Sequence, residues 1–350
     1  MTGSVEGPWV PKVLRTLRVP KVLRTLRVPK VLRALWMPTT GMARRVSGAV
    51  VLVLAAVVLT GAVVRLSGSG LGCPTWPSCT TTTLHSGTDV HGLIEFGNRV
   101  LSVAVFLVGL VLLALIVLRR RRRDLYAHVA ALFAGYLAEA VLGGVSVLTR
   151  LDPLVVAAHF LLAIVLLWVA IVIWRRLGTQ AVPPVPTVRV ELRWLGRALV
   201  AASFAILVAG TLVTGTGPHA GSRVDNRLGV DRHDITQLHS DLVLLVVGAV
   251  AVTLLLLRLT GAPSLLRQRA RTLLIVMVAQ SVVGFVQYFT GLPAWLVGLH
   301  VVGATAFWAA SLLLTLDMYV RPVAAAATTA AGMPADRSLA AAGRVQAASG

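Results

Sequence analysis

The sequence predicts an all-α integral membrane protein: eight transmembrane helices arranged as two tandem, parallel-repeat four-helix bundles. Three observations predict it. Of 350 residues, 57% are hydrophobic and only 13% are charged, and runs of about 20 apolar residues, enough to span the hydrocarbon core, recur along the chain. One long stretch is written twice, as AEAVLGGVSVLTRLDPLVVAAHFLLAIVLLW from Ala138 and as AQSVVGFVQYFTGLPAWLVGLHVVGATAFW from Ala279. The arginines gather in alternate loops, the bias expected of segments left on the cytoplasmic side. A membrane β-barrel would instead show short alternating segments. The formal charge of +20 follows the loop pattern, so no nucleic-acid partner is expected.

Residues 1–45 form a basic, repetitive arm. PKVLRTLRV occurs at Pro11 and again at Pro20, and a decayed copy begins at Pro29. A proline every nine residues interrupts any continuous helix. The arm reads either as a cytoplasmic segment touching anionic lipid or as a recent duplication upstream of a start at Met42. No apolar core with a small-residue cleavage site follows closely, so it does not read as a signal peptide.

Eight spans follow, at 46–65, 93–118, 125–148, 154–174, 195–214, 236–257, 271–289 and 295–320. The loops after spans two, four and six carry Arg119 to Arg123, then Arg175, Arg176, Arg189 and Arg193, then Arg258, Arg267, Arg269 and Arg271. These loops and both termini are expected in the cytoplasm of a multi-pass cell-membrane protein. The expected organisation is an N-terminal half over 46–177, a proline-marked linker over 178–194, a C-terminal half over 195–320 and a disordered Ala-rich tail over 321–350.

The repeat sets His159 on His300, Val141 on Val282, Gly143 on Gly284 and Leu151 on Leu292 at a constant offset of 141. Gly61 falls on Gly210 at an offset of 149, and the offset is again 141 where Ile94 meets Ile235 and Asn98 meets His239. The first outward loop is therefore the longer one. Both halves keep the same sense, so the repeat is parallel.

His159, His239 and His300 lie inside spans near their outward ends, where ionisable groups are costly and mark function more often than packing. His239 and His300 sit at similar depth with no acid beside them. Two imidazoles facing across a four-helix bundle suit a six-coordinate haem better than zinc, which wants further ligands. The first half has His159 but holds Asn98 at the partner position, so one face of its site is open or weakly held. His91 is roughly two turns, or about 10 Å, along the same helix. Glu95, one turn from Asn98, reads either as a carboxylate at a helix N-terminus, paired with Arg99, or as a proton acceptor and stabiliser of developing positive charge. Glu139, matched by Gln280, ranks lower, as an interhelical hydrogen-bonding group or part of a proton path.

Cys73 and Cys79 share the first outward loop. On an oxidising side they favour a disulfide; with His85 and His91 nearby, zinc is the alternative. His85, His91, His219 and His233 are expected in solvated outward loops, and His128 is expected to snorkel at the inner end of span three.

Together these residues resemble the haem A synthases. The resemblance covers residues 46 to about 320 and rests on TGAVVRLSGSGLGCPTWPSC from Thr60 to Cys79, IEFGNR from Ile94 to Arg99, and the helices of His159, His239 and His300. It implies an eight-span enzyme that oxidises the C8 methyl of haem O to a formyl group, by successive hydroxylation and loss of water, to give haem A for terminal oxidases. It implies haem b as cofactor between His239 and His300. His159 is then the ligand of the substrate haem, Glu95 the catalytic group, and iron is held through haem only. The family usually has a histidine where this chain has Asn98. Haem O is the implied substrate, a haem O synthase the implied supplier, and the electron acceptor is left unnamed; the lipid bilayer is the solvent, and a homo-oligomer is compatible with the pattern. A di-haem b electron carrier between quinol and a periplasmic partner is the competing reading. A transporter is a third, but no span is broken at the midplane in both halves.

Overall fold

The computed structural model describes residues 39–218 and 227–321. The proline repeats, the C-terminal tail and His219 lie outside the described residues. Eight helices long and apolar enough to cross a membrane follow one another: α1 Thr40–Leu66, α2 Val90–Arg119, α3 Tyr126–Leu148, α4 Pro153–Leu177, α5 Val190–Thr216, α6 Arg232–Leu259, α7 Ser264–Phe289 and α8 Ala294–Asp317. Leu52, Val108, Leu245 and Ile275 sit far from the helix ends and face outward. Apolar side chains exposed there make sense only where the solvent is lipid. This is a multi-pass membrane protein.

Local chemistry sets the helix starts. Thr39 Oγ1 accepts from Met42 N–H at 3.2 Å, and Asp89 Oδ2 accepts from Gly92 N–H at 2.8 Å. Asp152 caps α4, with Pro153 at its first position, and Asp231 caps α6 by accepting from His233 and Asp234. Each cap satisfies an amide left over at a helix start.

These caps extend the spans beyond their expected edges. Residues 40–45 of the expected arm belong to α1. Helix α5 starts at Val190, inside the expected linker. Both His91 and His233 lie in first turns rather than loops. Span eight ends earlier, at Asp317, and Tyr319–Val320 pairs antiparallel with Val185–Pro186 of the linker.

Helices α1–α4 close a ring in which α1 packs on α2 and α4, and α3 on α4. Helices α5–α8 close a second ring in the same order. The turns that leave α3 and α7 match bond for bond. Thr149 and Thr290 Oγ1 return to the carbonyls of Val145 and Val286 at 2.8 and 2.7 Å, and Leu151 and Leu292 N–H donate to Ser146 and Gln287 at 2.7 Å.

The rings join along α1, α4, α5 and α8. Trp308 of α8 is buried in the core of the first ring and donates to the Ile164 carbonyl at 3.0 Å. At the arginine-rich end, the buried Asp317 carboxylate pairs with Arg175 of α4 and Arg269 of α7. The other end carries the loop of the two cysteines.

Candidate functional site

Three histidines lie about two turns inside the end that bears the cysteine loop. His239 is on α6 and His300 on α8, diagonal helices of the second ring. The two rings of atoms stand within electrostatic reach of each other. Each imidazole lies against a glycine of a neighbouring helix. A Cβ on Gly210 would stand 3.2 Å from His239 Cε1, and one on Gly284 would stand 3.5 Å from His300 Cε1. Both Nδ1 atoms are buried without a hydrogen-bond partner. A backbone carbonyl, that of Ile206, faces His239 but outside hydrogen-bonding geometry.

The first ring is built on the same plan with different contents. His159 of α4 lies against Gly143 of α3, where a Cβ would be 3.4 Å from its Cε1. Asn98, across the ring on α2, buries an Oδ1 that has no partner. Gly61, the counterpart of Gly210, has nothing within 4 Å of where its Cβ would be; the shorter asparagine leaves that face open. Arg65 is one turn along on the same face of α1. Its Nε is buried, and its guanidinium meets no acceptor among the described residues.

His159 also has a partner that His300 lacks. Its Nδ1 touches Glu139 Oε2 of α3. The two atoms touch without the alignment of a hydrogen bond. In the second ring Gln280 replaces Glu139, and its side chain lies over Gly303, where any Cβ would collide with it.

The loop before α2 folds over the first ring. Cys73 and Cys79 are joined in a disulfide, which removes both thiols from any zinc site. Glu95 is buried, at 5% exposure. Its Oε1 accepts from Arg99 Nη2 at 2.6 Å and its Oε2 from Cys73 N–H at 2.8 Å. Arg99 also donates to the carbonyls of Thr75 at 3.0 Å and Cys73 at 3.1 Å. The pair clasps the disulfide loop to α2. Ser69 Oγ and His91 Nδ1 meet at 2.9 Å, so His91 is tied to the loop and does not stand in for Asn98. The Trp76 indole lies on Gly144, where a Cβ would stand 2.8 Å from Cε2, next to the glycine that backs His159.

Residues 44–226, just over half of the chain, match COX15-CtaA, the cytochrome oxidase assembly protein family. The chain belongs to that family. Within it, a stretch of 106 residues is 34% identical to the "Heme A synthase" of Geobacillus kaustophilus strain HTA426. That stretch is 29% of this chain and 32% of the relative, so the chain spans about a third of the curated relative it matches.

In this member of the cytochrome oxidase assembly family, the residues of the second ring fit an axially ligated haem. Its two histidines lie on diagonal helices of one bundle, glycines leave room beside each imidazole, and among the described residues no carboxylate is paired with either histidine. The other nitrogen of a ligating histidine normally meets a carbonyl or carboxylate; in His239 and His300 the Nδ1 is buried with no hydrogen-bond partner among the described residues.

Sequence reasoning ranked Glu139 low and assigned nothing to Arg65 or Trp76. The missed signal for Glu139 was spacing against depth. It lies four residues before Gly143, so both share the face of α3 that meets α4.

Proposed function

We propose that this chain is a haem A synthase, oxidising the C8 methyl of haem O to a formyl group through two hydroxylations and loss of water. The observation that carries the reading is the inequality of two matched sites: His239 and His300 hold the paired positions in the second ring, while His159 and Asn98 hold them in the first. A closed pair of imidazoles suits an electron relay, and a half-open site suits a substrate that must enter and leave. The family match supports a role in cytochrome oxidase assembly, and the named relative supports haem A as the product.

Helices α5–α8 would hold haem b between His239 and His300; bound there, it supplies one-electron transfer away from the substrate. Helices α1–α4 would hold haem O, with His159 as its protein ligand. Arg65 offers an unpaired guanidinium, the chemistry that meets a propionate carboxylate. Trp76 and the disulfide loop cover the first ring and restrict water. Glu95 lies one turn before Asn98, its carboxylate held by Arg99 and the Cys73 amide. To take a proton it must release either Arg99 or the Cys73 amide. The arginine-rich end, with both termini, would face the cytoplasm, placing the sites near the outer face. A haem O synthase delivering so apolar a product within the bilayer is the natural supplier.

Expression of the chain with a haem O supply, followed by pigment extraction, tests the reading. Haem A or its hydroxylated intermediate is expected; haem O alone would defeat the proposal. Glu95→Ala should retain haem and make little product, whereas undiminished turnover would remove Glu95 from the chemistry.

A further inference from the structure

We infer that Glu139 is a positioning residue that makes His159 a stronger electron donor than its counterpart His300; this rests on His159 being a haem ligand. The inference begins with a contact. Glu139 Oε2 meets His159 Nδ1, the nitrogen left over when Nε2 faces the centre of the ring. The Glu139 side chain is 12% exposed, and no other charged group among the described residues is paired with it. Gly143, one turn along α3, backs the same imidazole. The ring is therefore held by a flat surface on one side and by a carboxylate at its rear edge.

The second ring provides an internal control. Offset by 141, Glu139 becomes Gln280 and His159 becomes His300. Gln280 is neutral and lies against Gly303, and His300 Nδ1 is buried without any partner. One scaffold thus carries two imidazoles at equal depth, one backed by a carboxyl group and one not.

A carboxylate behind a ligating histidine fixes its orientation and raises its basicity. A more basic axial ligand favours the oxidised iron and lowers its reduction potential. The first-ring haem should therefore be the more easily oxidised of the two. That ordering suits a substrate that loses electrons to the haem of the second ring.

The test uses the full chain, purified with its haems, and reads potentials by spectroelectrochemical titration and the iron–imidazole stretch by resonance Raman. The haem lost in His159→Ala identifies the first-ring signal. Glu139→Gln installs the residue that the second ring already tolerates. It should shift the oxidised-to-reduced ratio of the first-ring haem about tenfold toward reduced at fixed potential, equivalent to ~59 mV for one electron, and lower the stretch frequency. Glu139→Asp should restore both in part. An unchanged potential and stretch in Glu139→Gln with the haem retained overturns the inference. If Glu139→Gln fails to hold haem, Glu139→Asp decides: a stretch and potential shifted part of the way in the direction expected of Glu139→Gln support the role, whereas wild-type values or a loss of haem there too overturn it. Absence of any His159-dependent haem in the wild type would instead bring down the haem assignment itself.

Discussion

At the scale of single residues, the contrast between Asn98 and His239 does most to separate the two halves. Both occupy the same place in the repeat, yet only a histidine can ligate iron. The structure adds that Gly61 faces open space where Gly210 faces an imidazole. Room for a ring at position 98 is therefore already present. Asn98→His should fill it and close the first site with a second imidazole. The expected result is a second low-spin haem in the optical spectrum. An unchanged spectrum would mean that position 98 does not face the haem. Glu95 teaches a different lesson at this scale. Its neighbour Arg99 was visible as a helical pair one turn on, and the structure forms that pair. What spacing along α2 could not reveal was the third member, the Cys73 amide. It arrives from a loop twenty-two residues earlier, whose path no periodicity encodes.

At the scale of helices, the sites depend on how closely neighbours approach. Glycines at 143, 210 and 284 let the Cε1 corner of an imidazole come close to the next helix. Gly210→Ala would place a methyl 3.2 Å from His239 Cε1. The ring must shift by a few tenths of an ångström, and second-ring haem should be lost or its bands broadened. Gly61→Ala meets nothing within 4 Å and should leave the second-ring spectrum unchanged. Equal spectra for the two variants would contradict the packing role. The spans themselves were legible because long apolar runs and flanking arginines encode them directly. Their edges were not, because Thr39, Asp89, Asp152 and Asp231 cap helices that start before the apolar run does. The Glu139–His159 contact was illegible for a related reason. Sequence gives depth and face on each helix, but the rotation of α3 against α4 decides which side chains meet.

At the scale of the whole molecule, two helical rings share one interface, closed by Trp308 and, at the arginine-rich end, by Asp317 between Arg175 and Arg269. The Asp317 side chain is fully buried while each arginine remains about 30% exposed, so solvent screens part of the interaction. Asp317→Asn leaves two cations facing a neutral amide. It should cost about 2–3 kcal/mol, seen as a lower thermal midpoint with both haem spectra intact below it; an unaltered midpoint would show that the triad contributes little. The larger claim is that this chain holds two unequal porphyrin sites, a relay in the second ring and a reaction site in the first. Haem content of the purified wild type, His159→Ala and His300→Ala chains tests it most directly. The account predicts that His300→Ala loses haem b, and that His159→Ala keeps haem b but no longer retains haem O. Loss of the same haem from both variants, or of none from either, would contradict it.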